Sequence, residues 1–232
     1  MHSSLDIRKA ALAAILLVLI ASARIVSTYT VFNHTPDEPA HLAAGMEWIS
    51  AGKYLYEDQH PPLARAMGAL GPYLAGERWH RGPDSYFEGF RILGHGPHYD
   101  RMLAFGRAGI LPFFWIASAV VFVWGLRISG PVGAVASTLL FTTLPPVLAH
   151  SGLITTDMAV TAWTGAAALA SLYWADRPDR RRTILFGVTI GLACLSKFSA
   201  LLFLPARCWR CIAVNCGGAA DRWRSPARWL SW

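Results

Sequence analysis

Charged residues are scarce in this 232-residue chain, at 15%, while hydrophobic residues make up 54% and the mean hydropathy is +0.35. This composition excludes an ordinary soluble domain, in which about a quarter of the residues are charged. The sequence also lacks a phosphate-cradling glycine loop, a nucleotide-binding fingerprint and an internal repeat. These absences argue against a nucleotide-dependent enzyme and a repeat scaffold. The composition predicts a membrane protein.

Cysteine is also scarce, and three of the four cysteines lie in the last 26 residues, together with five arginines and four of the ten tryptophans. A single C-x2-C pair, Cys208 and Cys211, is a weak zinc signal without a second pair. We interpret residues 206–232 as an aberrant tail, frameshifted or disordered, and residues 1–205 as one domain. Since five of the 21 basic residues lie in this tail, the net charge of +7 does not indicate nucleic-acid binding.

Five apolar runs are long enough to cross the hydrocarbon core of a bilayer, which takes about 20 residues. They are continuously apolar rather than alternating, so helices are the expected spanning form. The sequence therefore predicts an all-α, multi-pass membrane protein with about five transmembrane helices. The predicted spans are 10–31, 108–126, 131–149, 158–175 and 184–205.

Basic residues in the short connections predict the orientation. Arg8 and Lys9 precede the first span, Arg127 follows the second, and the arginine-rich segment 176–182 separates the fourth and fifth. We expect these segments and the N-terminus to be cytoplasmic, with residues 32–107 on the outer face of the cell (inner) membrane.

The first apolar run has an alternative interpretation. It passes through Ala21-Ser22-Ala23, which resembles the cleavage site of a signal peptide. We favour an uncleaved span, because apolar character resumes at Ile25 and Arg24 can extend to the outer interface.

The outer segment is predicted to carry two short helices. Pro39 to Ala51 forms one, with Asp37 or Glu38 as its N-terminal cap. Pro62 to about Leu74 forms the other, which begins with proline and is amphipathic enough to lie in the membrane interface.

Four sequence strings occur in a suggestive order. Asp37-Glu-Pro-Ala-His41 and His60-Pro-Pro-Leu63 lie in the outer segment, Leu144 to Asp157 contains a diproline and a Thr-Thr-Asp, and Gly191 to Lys197 lies in the fifth span. Over residues 5–205, the chain resembles polyprenyl-phosphate-dependent glycosyltransferases of GT-C architecture. These include protein O-mannosyltransferases and lipid A aminoarabinose transferases. Because members of this group are longer and have more spans, the resemblance implies an N-terminal fragment with a partial GT-C fold.

The resemblance implies an inverting membrane glycosyltransferase. It would move a hexosyl or pentosyl group from a polyprenyl-phosphate donor to a lipid, glycan or protein acceptor at the outer face, surrounded by membrane lipids. The alternative is a noncatalytic membrane protein fragment or a transporter-like subunit. A transporter places charges within its spans, whereas only Arg24 and Lys197 lie within these.

Sugar transfer requires a base for the acceptor proton and a cation or dipole for the departing phosphate. Asp37 is the candidate base, at the position where the resemblance places a catalytic aspartate. Glu38 is expected to orient the acceptor, assist Asp37 or cap the helix. Two adjacent carboxylates titrate unequally, and a raised pKa would improve the base.

Asp157 and Lys197 are candidates from the spans. Asp157 is expected to join Asp37 across a cavity, or else to cap the fourth span, for which Thr155 or Thr156 could substitute. Lys197 lies within an apolar run, where a cation is a functional candidate, here for the donor phosphate, although lysine can also extend to the interface.

Histidines and an arginine complete the candidate set. His41 is four residues after Asp37, so the two share a helix face suited to a divalent metal, to packing or to a hydrogen bond. His60 and Arg65 flank the diproline, where Arg65 could reach a phosphate or lipid head groups. The sequence does not decide whether a metal participates.

Overall fold

The computed structural model describes residues 4–203, with side chains from Asp6 onward. Every regular element in that part of the chain is an α-helix, which confirms the all-α prediction. Residues 206–232, which we interpret as an aberrant tail, lie outside the described residues. The helices are α1 (Ser4–Ser27), α2 (Asp37–Ala51), α3 (Pro62–Leu74), α4 (Ser85–Leu93), α5 (Gly96–Ala108), α6 (Leu111–Thr143), α7 (Pro145–Ser151), α8 (Asp157–Asp176) and α9 (Arg180–Ser196).

Two helical segments within residues 4–203 are long and apolar enough to cross a membrane, Asp6–Ser27 and Gly96–Thr143. The second segment bends at Gly130, whose φ of 72° is readily adopted only by glycine, just before Pro131. This bend falls between the second and third predicted spans. That the chain has about five spans stays a prediction.

Two predicted spans are not continuous helices. The run 131–149 is interrupted at Leu144, whose extended backbone is the conformation favoured before proline, and α7 begins at Pro145. The run 184–205 is interrupted at Lys197, which has φ −161° and ψ 136° and ends α9. The prediction that Lys197 lies inside a helix is therefore wrong. Irregular backbone within a span is tolerated where it lines a cavity, and Lys197, at the second break, does so.

The apolar helices form a bundle in which α1 packs on α6, α6 on α8, and α8 on α9. Their shared core combines the large side chain of Phe114 with small residues such as Ala21 and Ala159, all at most 2% exposed. Small residues let helix backbones approach closely, which is the main source of packing energy between helices in lipid. This bundle is the base on which the outer segment rests.

The helices α2 to α5 form a second compact layer, with α2 packed on α3 and α4, and α3 on α5. Backbone contact between them depends on glycine: a Cβ at Gly45 would lie 2.0 Å from the Arg65 carbonyl oxygen, and one at Gly89 would lie 2.1 Å from that of Pro39. The observed α3 has the predicted bounds, and α2 begins two residues earlier than predicted, at Asp37.

Candidate active site

A cavity of about 350 Å³ lies where the α2–α5 layer meets α8 and the end of α9. Five of the seven candidate side chains line it, although they are up to 160 residues apart in sequence. The two candidates that do not are Glu38 and Arg65. The five are Asp37, His41, His60, Asp157 and Lys197.

Asp37 is the first residue of α2 and is exposed to the cavity. Within residues 4–203, its carboxylate makes no hydrogen bond and no ion pair. A carboxylate in this state keeps all its lone pairs available to accept a proton or a donor from a ligand. The geometry therefore leaves Asp37 open to a substrate.

Glu38, the next residue, points away from the cavity and is fully buried. Its two carboxylate oxygens accept Arg107 Nε and Nη2, each at 2.9 Å. They also accept the backbone N–H of Thr35 at 2.7 Å and of Ile154 at 3.0 Å. Glu38 thus joins the start of α2, the end of α5 and the segment that leads into α8.

The cap prediction for α2 is wrong: its N-cap is Pro36, and no side chain caps it. Glu38 is unavailable, because its carboxylate is committed to Arg107 and to backbone groups outside the helix. Burial raises the pKa of Glu38, but Arg107 and the two N–H groups outweigh it and hold the pKa below its usual value. Glu38 therefore stays ionised, paired with Arg107.

Arg107 was not a candidate from the sequence. It is 1% exposed, and it also donates to the carbonyl oxygens of Tyr29, Phe32 and Asn33. The sequence did carry a signal for it: Arg107 directly precedes the predicted span 108–126 on the side predicted to be outside. The positive-inside rule disfavours basic residues there. Such a residue calls for a buried partner.

Asp157 and Lys197 form the bundle side of the cavity. Lys197 Nζ donates to Asp157 Oδ1 at 2.7 Å, and His150 Nδ1 lies 3.4 Å from Asp157 Oδ2. Asp157 is the first residue of α8, whose N-cap, Thr156, makes no side-chain cap. The carboxylate therefore orients the lysine ammonium in the cavity and does not cap the helix.

The wall of the cavity opposite Asp157 and Lys197 is formed by residues of the α2–α5 layer, and we call it the outer-loop side. Glu57, which the sequence did not single out, organises it. Its carboxylate lies 2.7 Å from His60 Nδ1 and 2.5 Å from Arg65 Nη2. Arg65 is 1% exposed, and its Nε donates to His41 Nδ1 at 3.3 Å. Arg65 is thus committed to protein groups and does not present its charge to the cavity as predicted. The i, i+3 spacing of Glu57 and His60 was the available signal.

His41 lies within this cluster, which we call the Glu57 cluster (His41, Glu57, His60 and Arg65). Burial, with the neighbouring Arg65 charge, lowers the pKa of His41 to about 4. The imidazole is therefore neutral near pH 7. Its Nδ1 accepts from Arg65, and its ring meets that of His60 edge-on, with centroids 5.3 Å apart.

Hydrogen bonds on the side away from the cavity hold the loop that carries Glu57. Glu47 is 1% exposed and accepts the backbone N–H of Leu55 at 2.9 Å and of Tyr56 at 3.2 Å. The Tyr54 hydroxyl donates to the His60 carbonyl oxygen. These bonds hold Glu57 and His60 at the cavity wall before any ligand arrives.

No group of three or more histidine, cysteine, aspartate or glutamate side chains that could hold a metal ion occurs within residues 4–203. Asp37 and His41 both line the cavity, as their spacing predicted, but His41 Nδ1 is already occupied by Arg65. The structure thus offers this pair little support as a metal site.

Of three comparisons with known proteins, one identifies a family. Neither the curated proteins nor the solved structures contain a match. A family model, that of the dolichyl-phosphate-mannose-protein mannosyltransferases, matches residues 14–225, most of the chain. These are membrane glycosyltransferases that use polyprenyl-phosphate sugar donors. With this match over most of its length, and with only helices as regular elements in residues 4–203, the chain belongs to the dolichyl-phosphate-mannose-protein mannosyltransferase family.

Proposed function

We propose that the cavity transfers a sugar from a polyprenyl-phosphate donor to an acceptor on the outer face of the membrane, with inversion at the anomeric carbon. One observation carries the proposal: the carboxylate of Asp37, which has no hydrogen bond or ion pair within residues 4–203, lines the same cavity as the ammonium of Lys197. The two side chains supply a group that can accept a proton and a group that can bind a phosphate, which supports the proposal. Glycosyl transfer from a phosphate requires both.

The reaction proceeds as a single displacement. The acceptor hydroxyl oxygen forms a bond to the anomeric carbon from the face opposite the phosphate, and Asp37 takes its proton. The bond between the anomeric carbon and the phosphate oxygen breaks, and polyprenyl phosphate leaves with the electron pair. Lys197 stabilises the negative charge that develops on this leaving group.

The ion pair with Asp157 leaves Lys197 able to bind a phosphate. The Lys197 side chain is 32% exposed and that of Asp157 40%, so solvent screens their attraction. A phosphate can therefore approach the ammonium while Asp157 keeps it directed into the cavity. Lysine has three N–H donors, and the bond to Asp157 uses one of them.

The Glu57 cluster forms the opposite wall. His41 and His60 line the cavity and are proposed to contact the donor's phosphate or sugar. Arg65 acts indirectly, since it holds Glu57 and His41 in place. Glu38 is likewise a positioning residue, because its bonds to Arg107 and Ile154 set the distance between Asp37 and Asp157.

The test is transfer from a panel of radiolabelled polyprenyl-phosphate sugars in membranes that contain the full chain. We expect Asp37→Asn to lower the transfer rate by about 10²- to 10⁴-fold, the usual contribution of a general base. Asp58→Asn is the matched control, because Asp58 is an exposed carboxylate of the same layer that does not line the cavity. It should transfer at the parent rate.

Two results would contradict the proposal. Asp37→Asn with undiminished transfer would remove Asp37 as the base. No transfer from any donor by well-expressed parent chain would favour the noncatalytic alternative. The anomeric configuration of the product, read by NMR, tests inversion separately.

A further inference from the structure

The turn between α8 and α9 carries positive charge that no ion pair within residues 4–203 neutralises. Two arginines at this turn are paired with aspartates: Arg127, which reaches it from α6, has its Nη2 2.6 Å from Asp176 Oδ2, and Arg182 has its Nε 3.4 Å from Asp179 Oδ2. Three more are exposed, and within residues 4–203 their side chains make no hydrogen bond or ion pair. These three, which we call the turn arginines, are Arg177, Arg180 and Arg181.

The ion pair between Arg127 and Asp176 shows where this turn lies relative to the apolar run of α6. Arg127 follows the apolar run of α6 that begins at Leu111, three residues before the bend at Gly130. Because Asp176 ends α8 beside it, the turn lies level with the end of that apolar run. The turn arginines therefore lie level with the end of the second predicted span, where a membrane surface is expected.

Aromatic and apolar groups support this placement. Trp174 stacks on Phe186 with ring centroids 5.9 Å apart, and tryptophan is enriched at membrane interfaces. Beyond the turn, α9 exposes Ile184, Leu185 and Val188, each more than 50%. A phospholipid complements both parts of such a surface, because its head group can contact the arginines while its acyl chains contact the adjoining apolar side chains.

We propose that the turn arginines bind the head groups of anionic phospholipids. Guanidinium groups bind phosphate in a bidentate manner, and three of them lie within five residues of one another. The paired arginines are excluded because Asp176 and Asp179 already use their charge. This inference is independent of the proposed sugar transfer, because the residues lie outside the cavity.

The experiment is native mass spectrometry of the purified full chain, titrated with phosphatidylglycerol or phosphatidylcholine in detergent at fixed salt. Each arginine near an anionic surface contributes roughly fivefold to binding. We therefore expect Arg177→Gln/Arg180→Gln/Arg181→Gln to weaken phosphatidylglycerol binding by at least about tenfold and to leave phosphatidylcholine binding unchanged.

The matched control is Arg24→Gln/Arg81→Gln/Arg101→Gln, which removes the same charge from exposed arginines elsewhere. It should keep most of the phosphatidylglycerol affinity. An equal loss of phosphatidylglycerol affinity in both variants would overturn the proposal. Displacement of the lipid by an equal concentration of glycerol phosphate would also overturn it, because it would indicate a site for soluble anions. If the triple variant does not fold, salt decides: in the parent chain, phosphatidylglycerol affinity must fall as sodium chloride rises, and a flat response would refute the proposal.

Discussion

The two sides of the cavity hold their charges differently. On the outer-loop side, Arg65 is 1% exposed and bound to Glu57 and His41, and behind it Glu38 and Arg107 form a pair in which both side chains are at most 2% exposed. On the bundle side, Asp157 and Lys197 are 40% and 32% exposed. Buried pairs are costly to break, whereas exposed ones contribute little to stability. The outer-loop side is therefore a fixed scaffold, and the bundle side can exchange partners.

The same contrast separates two neighbouring residues. Asp37 faces the cavity without a hydrogen bond or ion pair to residues 4–203, whereas Glu38 is fully buried and accepts five hydrogen bonds from Arg107, Thr35 and Ile154. Successive residues of a helix point about 100° apart, so one carboxylate can serve the ligand while the next holds the fold. Stability and activity should therefore respond differently to changes at the two positions.

The largest loss of stability is expected for Glu38→Gln, which leaves Arg107 buried without its counter-charge. Breaking a buried pair from one side costs about 3–5 kcal/mol. Thermal unfolding in detergent should show this as a large drop in midpoint, while Asp37→Asn unfolds at the parent temperature. Glu38→Gln with parent stability would show that the pair with Arg107 does not hold the layer together.

The second prediction concerns pH and the Glu57 cluster. The pKa of His41 is about 4 in the folded protein, against an ordinary value near 6.5, so the unfolded chain binds the proton more tightly. Stability contributed by neutral His41 is complete above pH 6.5 and is lost progressively as the pH falls toward 4. Since one pKa unit corresponds to 1.36 kcal/mol, the loss is about 3 kcal/mol.

The measurement is the unfolding midpoint in detergent between pH 7 and pH 4.5, for the parent and for His41→Gln. The variant should show a flatter profile, because glutamine does not titrate. The window ends at pH 4.5 because the pKa values of Glu38 and Glu57 are also lowered, and their contribution is lost below it. Parallel profiles would assign the pH dependence to other groups.

The sequence predicted the local features of this molecule well. Pro62 marked the start of α3, and continuous apolar runs located α1 and α8. The sequence also carried a signal for the break before α7, the diproline at 145–146, but the prediction of a continuous span over 131–149 missed it. The sequence did not reveal pairings between distant segments: Glu38 and Arg107 are 69 residues apart, and no local pattern selects one partner over another. The break at Lys197 was also missed, because the apolar run continues on both sides of it and its side-chain partner, Asp157, lies 40 residues earlier in the chain.

The smallest stability change is expected on the bundle side, where Lys197→Met removes an exposed pair worth at most about 1 kcal/mol. Its effect on the reaction should be larger, since a hydrogen bond to a charged group contributes about 1.5–3 kcal/mol, or roughly 10- to 100-fold in kcat/KM for the donor. Lys197→Arg keeps a cation and should recover part of the rate. Arg65→Met is the comparison across the cavity: it should lower stability more than Lys197→Met does. If Lys197→Met instead lowers stability as much as Arg65→Met, the bundle side is as fixed as the outer-loop side, and Lys197 is a structural residue rather than a ligand for the donor phosphate.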